Sequence, residues 1–158
     1  MRRLPGYPNW FLPALLLSST LLALTGITLI PSMLEFKFDI DLSWQLPSGY
    51  RVLQLGAHAA LGYAVLIALG SLLPIHARAG WRKRKNHVSG AMLVLALASL
   101  ALTALGLYYA GSDTGQKLSA LVHTAVGLLF TFACIFHSLK GEALHRQHPE
   151  LPRHQQPS

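Results

Sequence analysis

The stretch Leu118–Leu139, LSALVHTAVGLLFTFACIFHSL, decides how this chain folds. It contains no charged side chain, and a helix crosses the hydrocarbon of a bilayer in about 20 apolar residues. It also contains two histidines, His123 and His137. An imidazole in hydrocarbon is costly and by default marks a functional position. The stretch therefore reads as a membrane span that carries chemistry.

Three further stretches match it in length and character: Trp10–Ile30, Val52–Leu73 and Val88–Ala110. The chain is 52% hydrophobic and only 12% charged, too apolar for a soluble domain of 158 residues. The expected fold is all-α, an integral membrane four-helix bundle. Residues 1–9 precede it, residues 10–140 form it, and residues 141–158 are a polar tail with Pro149, Pro152 and Pro157 that is expected to be disordered. The apolar run of the first span is long and lacks an A-x-A cleavage site before Pro31, so it reads as a retained signal-anchor.

The basic residues orient the bundle. Arg2 and Arg3, then Arg78, Arg82, Lys83, Arg84 and Lys85, then Lys140, Arg146 and Arg153 all fall on one side. Only Lys37, Arg51 and Lys117 fall on the other. Lysine and arginine gather in cytoplasmic loops, so both termini are expected to be cytoplasmic. The net charge of +7 then reports topology beside anionic lipid headgroups. Nucleic acid is not an expected partner.

Aromatic residues mark the interfaces. Tyr7, Trp10 and Trp81 suit the inner one; Trp44, Tyr50, Tyr108 and Tyr109 suit the outer one. Pro31 is expected to end the first helix. Alternation of Phe36, Phe38, Ile40 and Leu42 beyond it suggests a short strand or an interfacial segment. Gly111–Gln116 reads as a tight turn.

The second span repeats the theme of the fourth. His58 is followed four residues later by Gly62, and His123 by Gly127. Both spans enter from the outer side and run the same way, so the two imidazoles can meet at one depth. Their distances from Arg51 and Lys117 put that depth roughly 10 Å below the helix starts at 1.5 Å per residue. Gly26 and Gly106 stand near the outer ends of the first and third spans. Taken singly, each glycine is ordinary small-residue helix packing. Four of them level with two histidines suggest room for a flat cofactor. A weak internal echo accompanies them: Leu-Thr-Gly-Ile at 24–27 and Leu-Thr-Ala-Leu-Gly-Leu at 102–107.

A structural zinc site wants four ligands. Two imidazoles with no carboxylate or thiolate nearby suit the axial positions of a haem iron better. Cys134 is the only cysteine. It permits neither an internal disulfide nor the C-x-x-C-H attachment of a c-type haem, so the haem would be b-type and non-covalent. Arg51 stands two turns outside His58 on the same face, placed either to meet a propionate or simply to snorkel to the interface, and Lys117 stands similarly outside His123, though rotated away from its face. On the inner side His137 lies about four turns from His123, roughly 21 Å along the helix. It can pair with His76 or with His87, which would make a second haem site. His145, His148 and His154 belong to the polar tail.

These features resemble the small bacterial membrane b-type cytochromes, the cytochrome b and ferric-reductase-like electron carriers. The likeness covers the four-helix core and is carried by His-x-x-x-Gly in the second and fourth spans and by LVHTAVGLLFTFACIFHSLK at Leu121–Lys140. It implies a multi-pass protein of the bacterial inner membrane that holds haem b between helices, with one haem or two. It also implies one-electron transfer to a redox partner on the extracytoplasmic side, or exchange with quinol. Leu72 stands where a fourteen-residue partner of His58 would be histidine. An electron-transfer subunit is favoured over a stand-alone enzyme, since no nucleophile, acid–base carboxylate pair or phosphate loop is present. A non-catalytic membrane scaffold and a small metal-ion or proton transporter are the rival readings.

Overall fold

A computed structural model of the chain describes residues 6–44, 47–82 and 87–147, with backbone alone for 48, 76 and 141–147. It is all-helical; no strand occurs among the described residues. The first helix is Phe11–Phe38 and the second begins at Ser48. The third is His87–Tyr109 and the fourth Asp113–Gln147. Four segments are long and apolar enough to cross a membrane: Phe11–Phe38, Gly49–Arg82, His87–Tyr109 and Asp113–Lys140.

The molecule is apolar outside as well as in. Val65 and Ala120 are the buried hydrophobic residues among those described, and no polar or charged residue there is buried. Leucine, isoleucine and phenylalanine side chains cover the exterior, a surface that lipid satisfies and water does not. Hydroxyls inside such a bundle need partners. Ser18, Thr20, Thr28, Thr131 and Ser138 each donate back to a carbonyl four residues earlier on their own helix.

The first two helices form one hairpin and the last two another, and the first helix also packs on the fourth. An even number of spans returns both ends of the chain to one end of the bundle, here called the terminal end. The far end holds residues 39–44, 47 and 110–112.

Pro31 does not end the first helix. The helix runs through it for two further turns to Phe38, and the proline ring is buried. A proline inside a spanning helix is tolerated where neighbouring helices cover the interrupted ladder. Termination comes at Asp39, which takes the left-handed conformation (φ 56°). Its N–H returns to the Glu35 carbonyl and that of Ile40 to the Leu34 carbonyl, the hydrogen-bond pattern of a left-handed helix cap. The apolar alternation from Phe36 to Leu42 thus spans a helix end and makes no strand. The fourth helix opens inside the expected turn. Ser112 caps it, its hydroxyl accepting from Gly115 N–H at 3.1 Å.

The second helix changes character at Pro74. Ser48–Leu72 is α-helical, Leu73–Ala77 is a wider π-turn, and Arg78–Arg82 is α-helical again. Proline has no N–H for the ladder and its ring crowds the preceding turn, and wide turns inside helices answer that interruption. The segment before the first helix braces the site: Tyr7 donates to the Ser71 carbonyl at 2.6 Å, and Gly6 packs against Ile75.

Candidate functional site

His58 and His123 each stand ten residues after the first residue of their helix. That is about 15 Å along the axis; measured from Arg51 and Lys117, which lie inside the helices, the depth stays roughly 10 Å. The two rings meet edge to face, with centroids 6.4 Å apart and planes inclined by 77°. They share no hydrogen bond with each other.

Each ring is instead tied to the other helix of its own hairpin. The Thr25 hydroxyl lies 3.0 Å from Nδ1 of His58, and the Thr103 hydroxyl lies 3.0 Å from Nδ1 of His123. Gly62 faces Leu22, with 3.9 Å from a built Cβ to Cδ1, and Gly127 faces Leu100 at 3.8 Å. One turn nearer the far end, Gln54 donates to Thr28 at 2.7 Å in the first hairpin, while Ser119 presses on Gly106 in the second.

The two hairpins therefore repeat one another at three levels. The sequence carries the repeat as Leu-Ala-Leu-Thr, present at 22–25 and again at 100–103, and as His-x-Ala-x-Gly at 58–62 and 123–127. Both hairpins run in the same direction, so the repeat is parallel, with the two histidines facing each other across it.

The glycines do not open onto a common space. Gly26 receives the His58 ring itself, with 3.0 Å from a built Cβ to Cε1. Gly106 receives Ser119, whose Cβ is 3.1 Å from that point. Arg51 meets Glu35, with Nη2 to Oε2 at 3.2 Å, and lies 4.9 Å over the Phe36 ring. Lys117 pairs with Asp113 at 2.8 Å. Lys37 donates to Gln116 at 2.6 Å and ties the first helix to the fourth at the far end.

Toward the terminal end, His137 is seated on the third helix. Ser89 Oγ is 2.9 Å from its Nδ1, and its Cε1 is 3.7 Å from a built Cβ at Gly90. The His87 ring lies against Trp81 with centroids 5.6 Å apart. Its Nδ1 is buried and makes no hydrogen bond among the described residues. His76 falls in the π-turn, and its side chain lies outside the described residues, as do those of His145, His148 and His154. Cys134 is half-buried on the fourth helix as a free thiol. Among the described residues no three histidine, cysteine or carboxylate groups cluster to hold a metal.

No protein-family model, curated protein or solved structure matches this chain. The site must be read from its own residues.

Proposed function

We propose that the chain is a membrane b-type cytochrome, an electron-transfer subunit in which His58 and His123 would hold one haem b. The observation that carries this reading is the mutual placement of the two rings. At a nitrogen–metal bond of ~2.0–2.1 Å, two imidazoles that both reached one ion would have centres no more than roughly 6 Å apart. The observed separation is 6.4 Å. A proton relay would call for rings that bond each other or a shared group. Here each Nδ1 is turned outward to a threonine on the neighbouring helix.

The donor set fits haem. It offers two imidazoles and no thiolate or carboxylate, and facing helices of a bundle are a well-used frame for such a site. Haem when bound supplies a reversible one-electron couple at iron. The protein's part is to hold the rings, keep water away with an apolar sheath, and place the site about 15 Å into the bundle. Gly62 and Gly127, one turn from the rings, let the Leu22 and Leu100 side chains pack close. Arg51 would have to leave Glu35 to meet a propionate at the far end. His137, seated on Ser89, is the ligand available for a second haem toward the terminal end, with His76 or His87 opposite it.

The basic residues favour a cytoplasmic terminal end and an extracytoplasmic far end. The resemblance to bacterial cytochromes b favours the bacterial inner membrane. A redox protein meeting the far end, or quinol in the bilayer, would exchange electrons with the site.

The test is direct. Protein purified in mild detergent from haem-replete cells should be red, with a reversible reduced-minus-oxidised b-type spectrum and at least one haem per chain. A colourless preparation overturns the reading and leaves the membrane scaffold in its place.

A further inference from the structure

Three of the described histidines share one seat. Each turns Nδ1 to a hydroxyl on the adjacent helix: His58 to Thr25 and His123 to Thr103, both at 3.0 Å, and His137 to Ser89 at 2.9 Å. In two of the three seats a glycine follows the hydroxyl residue, Gly26 or Gly90, and the ring's Cε1 lies over it.

A hydroxyl has one proton to give. That of Thr25 points back at the Leu21 and Leu22 carbonyls, at 2.9 and 3.0 Å. That of Thr103 points back at Ser99 and Leu100, at 2.8 and 3.2 Å. Where that proton stays on its own helix, the threonine oxygen accepts from the ring; Nδ1 then carries the hydrogen and Nε2 keeps its lone pair.

We propose that Thr25 and Thr103 are positioning residues that lock His58 and His123 as Nδ1–H imidazoles and strengthen Nε2 as a donor to one shared metal. The identity of that metal as haem iron rests on the function proposed above; the tautomer does not. A ligating imidazole that donates its other N–H is fixed in orientation and made more basic. A more basic axial ligand favours ferric over ferrous iron and lowers the midpoint potential. Because the hairpins repeat, the two threonines act equally on the two sides.

The experiment uses the full chain in lipid nanodiscs with nitrogen-15-labelled histidine. In haem-free protein, the imidazole shifts should report Nδ1–H for His58 and His123. Thr25→Val should move His58 alone toward the Nε2–H form, Thr103→Val should move His123 alone, and Thr25→Ser should restore the original state. In haem-loaded protein each valine variant should raise the midpoint potential by a similar amount and weaken haem binding by about tenfold, with the serine variant returning both to wild type. Unchanged tautomers in both valine variants overturn the proposal, as does a serine variant that behaves like valine. A colourless wild type with both rings Nδ1–H overturns the haem reading and leaves the seats in place.

Discussion

The His58 ring rests directly on Gly26: a Cβ at that position would stand 3.0 Å from Cε1 of the imidazole. Position 26 therefore sets where the ring can lie. Gly26→Ala should push the ring by a few tenths of an ångström and lower haem occupancy in part. Gly26→Leu should displace it and abolish the low-spin spectrum. Gly56 is the internal control, since a Cβ there meets nothing within 4 Å. Gly56→Ala should leave the spectrum alone and raise stability by about 0.5–1 kcal/mol through helix propensity. Haem-to-protein ratio and thermal unfolding in detergent read all three. Equal spectra for Gly26→Leu and wild type would remove His58 from the site.

Ligand substitutions separate the two levels of the bundle. If the proposed haem lies between them, His58→Ala and His123→Ala should each abolish its bis-imidazole spectrum, because one ring cannot hold the iron in the same low-spin state. His137→Ala should leave that spectrum intact, since its seat on Ser89 lies fourteen residues along the fourth helix, about 21 Å away. Low-temperature absorption and electron paramagnetic resonance of the purified variants check this. A His137→Ala protein that loses all of its haem would show that His123 has the wrong partner.

Much of this arrangement is legible in the chain, for reasons that differ by residue. The four spans follow from length and hydropathy alone, because hydrocarbon leaves a helix few alternatives. His58 and His123 are visible because they are costly where they sit. Pro31 misleads, because proline is a helix breaker in water but tolerated when buried between spanning helices. The glycines mislead in another way. Their level along the bundle is readable from spacing, but what each one faces depends on helix rotation, which a leucine-rich background hides. Thr25 and Thr103 are the residues the spacing reading passes over. A threonine in a leucine helix looks like filler, and only its recurrence in Leu-Ala-Leu-Thr at the level of a histidine gives it away.

The far end should depend on the Glu35–Arg51 pair. The two side chains are 36% and 24% exposed, with a contact of 3.2 Å, and Arg51 also covers Phe36. Glu35→Gln and Arg51→Gln should each destabilise the folded state by about 1 kcal/mol, and the double variant should cost less than their sum by a few tenths to 1 kcal/mol. Added salt should shrink this coupling. A double-mutant cycle of thermal unfolding at two ionic strengths measures it. Strictly additive losses would show that the two residues act separately on their own helices.

At the terminal end the break in the second helix makes its own demand. Pro74 has no N–H, and the ladder widens over Leu73–Ala77. Ser71, just before the break, receives the Tyr7 hydroxyl at 2.6 Å, and Tyr7 stacks on Phe11 with ring centroids 4.6 Å apart. The amino-terminal segment is thus a strap across the weak turn. Tyr7→Phe keeps the stacking and removes only the hydrogen bond, a loss of about 0.5–1 kcal/mol at this exposed position. The effect should be local. Amide exchange at Ile75 and Ala77 should quicken several-fold while exchange around His58 and His123 stays unchanged, and the haem spectrum with it. Pro74→Ala should reverse the effect by restoring the missing donor and closing the turn to an α-helix. If exchange at the turn ignores Tyr7→Phe, the strap is a contact without consequence and proline alone governs the break.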